Sequence, residues 1–141
     1  MDKFIQVVHV GVAAAGTFLS HLLGGWDMSL QFLIYLMIAD YTTGIVSAIK
    51  NKNLNSEVMY WGGIRKSATL VVIMIAVMLD NLMGNTEPIF RTMAIWYYIS
   101  REGLSTTENL GKIGVPLPEF IKSTLEQIAT DKQNKNQGED K

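Results

Sequence analysis

The stretch Ile34–Ile45, IYLMIADYTTGI, sets an aspartate among apolar residues, with no Lys or Arg anywhere from Asp27 to Ile49. A carboxylate in apolar surroundings must find a partner or take up a proton. Inside a bilayer that demand is harsher, and an ionisable side chain there marks a functional position. Working outward from Asp40, formal charge is absent from Phe4 to Leu23 apart from protonation of His9 or His21. It is confined to Asp40 between Met28 and Ile49, and to Asp80 between Ser67 and Met83. The segment Arg101–Lys141 instead carries six Lys or Arg and seven acids. A charge-poor front and a charge-rich end predict an all-α integral membrane protein with three or four transmembrane helices, a C-terminal amphipathic helix and a polar tail.

The first apolar run, Phe4–Leu23, has twenty residues, about 30 Å of helix and enough to cross a bilayer core. Apolar sequence continues past Ala13–Ala15 to Leu23, whereas a cleavage site should follow the apolar run, so this segment is read as a retained helix. Gly24-Gly25 ends it, and Asp27 and Ser29 can cap the next helix. The second span is Met28–Ile49 and stops at the Asn-rich loop KNKNLN. The third, Ile64–Met83, reaches full length only if Ile64–Lys66 begin the helix, with Gly62-Gly63 breaking the chain before it. A candidate fourth helix, Pro88–Lys112, places Arg91, Tyr98, Arg101, Glu102, Ser105, Glu108, Asn109 and Lys112 at steps of three or four, which is an amphipathic pattern. Gly111–Pro118, GKIGVPLP, breaks it. The expected organisation is a helical membrane domain over 1–112, an amphipathic segment over 113–130 and a disordered polar tail over 131–141.

Lys50, Lys52, Arg65 and Lys66 bracket the loop after the second span against one acid, Glu57, so the positive-inside rule puts that loop and the N-terminus in the cytoplasm. Three spans would leave the C-terminal end outside, and four would return it to the cytoplasm.

Composition removes several functions. A net charge of −1 argues against nucleic acid as a partner. With no cysteine there is no disulfide and no thiol nucleophile. His9 and His21 stand twelve residues apart without an HExxH pair, so neither a metal nor a cofactor is expected. No GxSxG is present, and GGIRKS (Gly62–Ser67) fails the spacing of a phosphate-binding loop, so no enzyme is expected.

The remaining candidates are helix-packing or pore positions. Asp40, Thr43, Gly44 and Ser47 share one helical face, and Gly44-x-x-x-Ala48 lets backbones approach closely. That face reads either as a packing seam or as a water-facing wall in an assembly. Asp80 reads as an outer-interface residue. His9, Ala13, Gly16 and Ser20 form a small and polar stripe expected to pack against the second span. Arg91, Arg101 and Glu102 lie either on a solvated or membrane-surface face, or along a channel inside an oligomer.

Three stretches taken together resemble the toxin-secretion/phage-lysis holin family: LMIADYTTGIVSAIKNKNLNS, WGGIRKSATLVVIMIAVMLD and YYISREGLSTTENLGKIGVPLPEFIKSTLEQI. The similarity covers Leu30–Ile128. Asp40, Gly44 and Lys50 fall in the second-span pattern, Arg65 and Lys66 at the start of the third, and Glu108, Asn109, Gly114, Pro116 and Pro118 in the last. The resemblance implies a protein of the bacterial cytoplasmic membrane that associates with itself and opens lesions at a set time. Through these an endolysin, or a large toxin, crosses. It also implies an antiholin as a further partner and supplies no catalytic residues.

Overall fold

The computed structural model describes residues 1–137 and contains five helices over that range: α1 (Asp2–Leu22), α2 (Met28–Lys50), α3 (Ser56–Leu82), α4 (Ile89–Ile113) and α5 (Glu119–Gln137). The fold is all-α, and α1, α2 and α3 are long and apolar enough to cross a membrane.

Each boundary has a local cause. Gly24 and Gly25, at φ 78° and 105°, take the chain out of α1. Asp27 caps α2, its carboxylate accepting from the Leu30 amide at 2.9 Å. Asn55 caps α3 by accepting from the Glu57 and Val58 amides. Gly114, at φ 94°, closes α4: its amide bonds the Gly111 carbonyl while the Val115 amide reaches Leu110. Pro116 follows, and Pro118 precedes α5.

Two boundaries differ from the sequence reading. Gly62 and Gly63 do not break the chain; α3 begins at Ser56 and runs through both. The Asn55 cap pre-empts a start at Ile64, and the bare surface of Gly62 faces the ring of Tyr41, whose hydroxyl donates to the Met59 carbonyl at 3.4 Å. Likewise, helix α5 extends to Gln137 through the start of the expected polar tail; residues 138–141 lie outside the described range.

The core is built by α2, α3 and α4. Leu30, Leu33 and Met37 of α2 meet Ile73 and Ala76 of α3 and Ile95 and Ile99 of α4, with Leu23 closing one end. These positions recur at helical spacing, so each helix turns one stripe inward. α4 packs extensively on α2 and also on α3 and α5, whereas α2 and α3 touch little directly. In lipid the hydrophobic effect does not draw helices together, so this core is held by close packing and interhelical hydrogen bonds.

α1 stands apart. None of its residues is buried, and the expected packing of His9, Ala13, Gly16 and Ser20 against α2 does not form. The Gly24-Gly25 turn splays α1 outward, leaving an open apolar cleft that Ala13, Gly16 and Leu19 share with Ile34 and Leu70.

Candidate functional site

Two polar clusters terminate the apolar core at opposite ends. The first forms where α2, α3 and α4 meet. Asp40 stands on α2, one turn beyond Met37; Lys66 stands on α3, one turn before Leu70; Glu102 follows Ile99 on α4. The Lys66 ammonium donates to Asp40 Oδ2 at 2.6 Å and also to Glu102 Oε2. Asn109, two turns further along α4, donates from Nδ2 to Asp40 Oδ1 at 2.9 Å and to the Asp40 carbonyl at 3.2 Å. All three charged side chains are at least four-fifths buried. The partner that Asp40 requires is therefore Lys66, twenty-six residues away in the chain.

Gly44 lies one turn from Asp40. A Cβ there would stand 3.4 Å from Asn109 Nδ2, so its small surface is what lets the amide reach Asp40. Thr43 turns its hydroxyl back to the Ala39 carbonyl at 2.7 Å and also lies 3.4 Å from Asn109. Ser47 is buried beside Asn51. At the end of α2, Lys50 donates to the Ile113 carbonyl at 2.6 Å, satisfying the C-terminus of α4 and adding a favourable cation there.

The second cluster centres on Arg91, which is almost wholly buried. Its guanidinium donates to the Leu23 carbonyl at 2.6 Å, the Gly25 carbonyl at 3.0 Å and the Asp27 carboxylate at 2.7 Å. A Cβ on Gly24 would lie 2.6 Å from Arg91 Nε, so only glycine fits beneath it. Arg91 and its hydrogen bonds hold the Asp27 carboxyl down at about 2, against an ordinary value of 3.8. Asp80 is buried within the protein near the end of α3: its two oxygens accept from the Phe90 and Arg91 amides at 3.0 and 2.8 Å and from Asn85 at 2.9 Å. It thereby caps α4 from a neighbouring helix, since Pro88 has no side-chain cap to offer.

Among the proposed polar residues of α4, Arg91 and Glu102 turn inward and Arg101 turns outward. Lys52 and Arg65 are exposed. Sequence reasoning did not single out Asn109 and Asp27 as partners of Asp40 and Arg91. The helical spacing of Asn109 from Glu102 and the cap position of Asp27 were the signals available.

Cavities flank the first cluster on either side of Lys66. One of about 210 Å³ opens among Asp40, Gly44, Gly62 and Asn109. Another of about 400 Å³ opens among Arg65, Arg101, Tyr98 and Glu102.

Comparison with known proteins gives a consistent result. The family described as "Bacteriophage holin family" matches residues 17–130. An uncharacterized protein of Clostridium perfringens is 38% identical over 96% of this chain and 98% of its own length. A "Probable holin" of Bacillus phage phi105 is 34% identical over 79% of this chain and 82% of its own. An uncharacterized protein of Bacillus subtilis is 34% identical over 86% and 85%. No solved structure matches the chain significantly.

Proposed function

Because the chain belongs to the bacteriophage holin family, a family of non-enzymatic membrane proteins, we propose that it associates with itself in the bacterial cytoplasmic membrane and opens lesions that pass an endolysin. The observation that carries this reading is the enclosed Asp40–Lys66–Glu102–Asn109 cluster with a cavity on each side. Buried ions stay buried only while fully paired, and their desolvation cost is repaid just as well by water. A packet of helices that keeps these groups against each other is compatible with lipid. A larger assembly that turns the α2–α4 seam toward water solvates them instead. Two arrangements of similar free energy make a bistable element.

Four crossings are supported by the fastening of α4 to α2 at both ends, through Arg91 to Asp27 and through Lys50 to Ile113. If α2 crosses, α4 crosses beside it, and α5 returns to the side of the N-terminus. The excess of Lys50, Lys52, Arg65 and Lys66 at the α2–α3 loop favours the cytoplasm for that side.

Induced expression in bacteria carrying a cytoplasmic reporter enzyme tests the reading. Abrupt growth arrest with release of the folded reporter is the expected outcome. Ion leakage without reporter release would make the protein a small channel, and unchanged permeability would make it a scaffold; either sinks the proposal. Asp40→Leu and Gly44→Leu are expected to shift the time of arrest while membrane insertion persists. The same lesion would admit a large toxin in place of an endolysin. An antiholin partner is expected to delay arrest when co-expressed.

A further inference from the structure

Arg65 and Arg101 are the two arginines not consumed by the clusters. Both are exposed, and neither makes an ion pair or side-chain hydrogen bond among the described residues. They stand on opposite walls of the same groove, the 400 Å³ cavity between α3 and α4. On the α3 wall the groove runs Arg65, Thr69, Val72; on the α4 wall, which is antiparallel, it runs Ser105, Arg101, Tyr98. It is therefore polar and cationic on the side nearer the α2–α3 loop, and more apolar on the side away from it.

Charge sharpens the reading. The groove is bounded by three cations, Arg65, Lys66 and Arg101, and two carboxylates, Asp40 and Glu102. Lys66 already satisfies both carboxylates, so the arginines leave the groove with one uncompensated positive charge. A monoanion bearing several acceptor oxygens would close it, and guanidinium groups match phosphate oxygens in pairs.

We propose that this groove binds a phosphodiester anion, supplied by the headgroup of an anionic phospholipid whose acyl chain follows Val72 and Tyr98 along the helices. The polar-to-apolar gradient matches a lipid lying with its headgroup on the side of the α2–α3 loop, and basic pockets between transmembrane helices select such headgroups. The proposal rests on the membrane location of the helices and not on lesion formation.

Native mass spectrometry of the full chain in detergent tests it, with phosphatidylglycerol and phosphatidylcholine of identical acyl chains as probes. Wild-type protein is expected to retain one phosphatidylglycerol with about tenfold or greater preference over phosphatidylcholine. The Arg65→Gln/Arg101→Gln double variant is expected to lose that preference, while Lys52→Gln, which removes an exposed charge outside the groove, keeps it. Circular dichroism confirms that the variants retain helix, and Arg65→Lys/Arg101→Lys is expected to restore part of the preference. Equal retention of both lipids by wild type, or an equal loss in Lys52→Gln, overturns the site. Displacement of the bound lipid by inorganic phosphate at matching concentration overturns the lipid as source and leaves a free-phosphate site. Reporter release in cells is a separate readout, so failure here and failure of the lesion reading are distinguishable.

Discussion

Asp40 and Glu102 share a single ammonium, and that sharing governs what substitutions do. Lys66→Met strands two carboxylates in a poorly solvated pocket. The expected loss is about 3 kcal/mol, the usual scale for breaking a buried pair, read as a lowered unfolding midpoint in mixed micelles. Asp40→Asn/Lys66→Met/Glu102→Gln removes all three charges and is expected to recover much of that loss. Asp27 offers a test by pH. Its carboxyl titrates at about 2 in the fold against 3.8 ordinarily, so its stabilisation is complete above pH 4 and disappears as pH falls toward 2. Because half of the side chain is exposed, the span of this effect is discounted to roughly 1 kcal/mol. Asp27→Asn is expected to flatten that part of the pH–stability curve. The need for a partner at Asp40 was legible in its apolar surroundings. The identity of the partner was not, because Lys66 and Asn109 reach it through helix packing that no local pattern encodes.

Helix α4 shows why periodicity read alone places a helix but misassigns its faces. Arg91, Tyr98, Arg101 and Glu102 look like one polar stripe at steps of three and four, yet Arg91 and Glu102 face inward to partners on other helices while Arg101 faces out. A buried polar residue on an apolar helix and an exposed one on a polar face are written in the same letters. Gly103, which weakens a helix prediction, has a positional use: a Cβ there would stand 2.7 Å from a terminal carbon of Leu125, so the glycine seats α5 against α4. Gly103→Leu is expected to release α5 and speed proteolysis at 114–118. Adding Leu125→Ala should slow cleavage again, because the obstructing side chain is gone. α1, with no buried residue, gives the complementary expectation. Removal of residues 2–20 should leave the unfolding midpoint of the α2–α4 unit nearly unchanged, since the Leu23–Gly25 turn that Arg91 holds remains.

For the molecule in its bilayer, the decisive measurement is sidedness. The sequence contains no cysteine, so Lys52→Cys, Thr86→Cys and Ser123→Cys each report one position without background. Four crossings predict that an impermeant maleimide added outside labels only position 86, and that positions 52 and 123 react only after the membrane is opened. Charge placement made α1, α2 and α3 readable as membrane-spanning helices. Whether α4 crosses was obscured because its inward face carries Arg91 and Glu102, like the polar face of a surface helix. If α4 crosses, that same helix leaves the protein uneven in height. From Ile89 to Arg101 its outer side offers about 18 Å of apolar rise, whereas Met28–Ile49 of α2 offers about 32 Å. A hydrocarbon layer of about 30 Å cannot fit both. Lipid beside α4 must dimple, storing elastic energy that falls when two copies share one depression. Longer acyl chains deepen the dimple, so energy transfer between labelled copies in vesicles should rise as the lipid tails lengthen. The stiffness of the membrane itself would then gather the molecules.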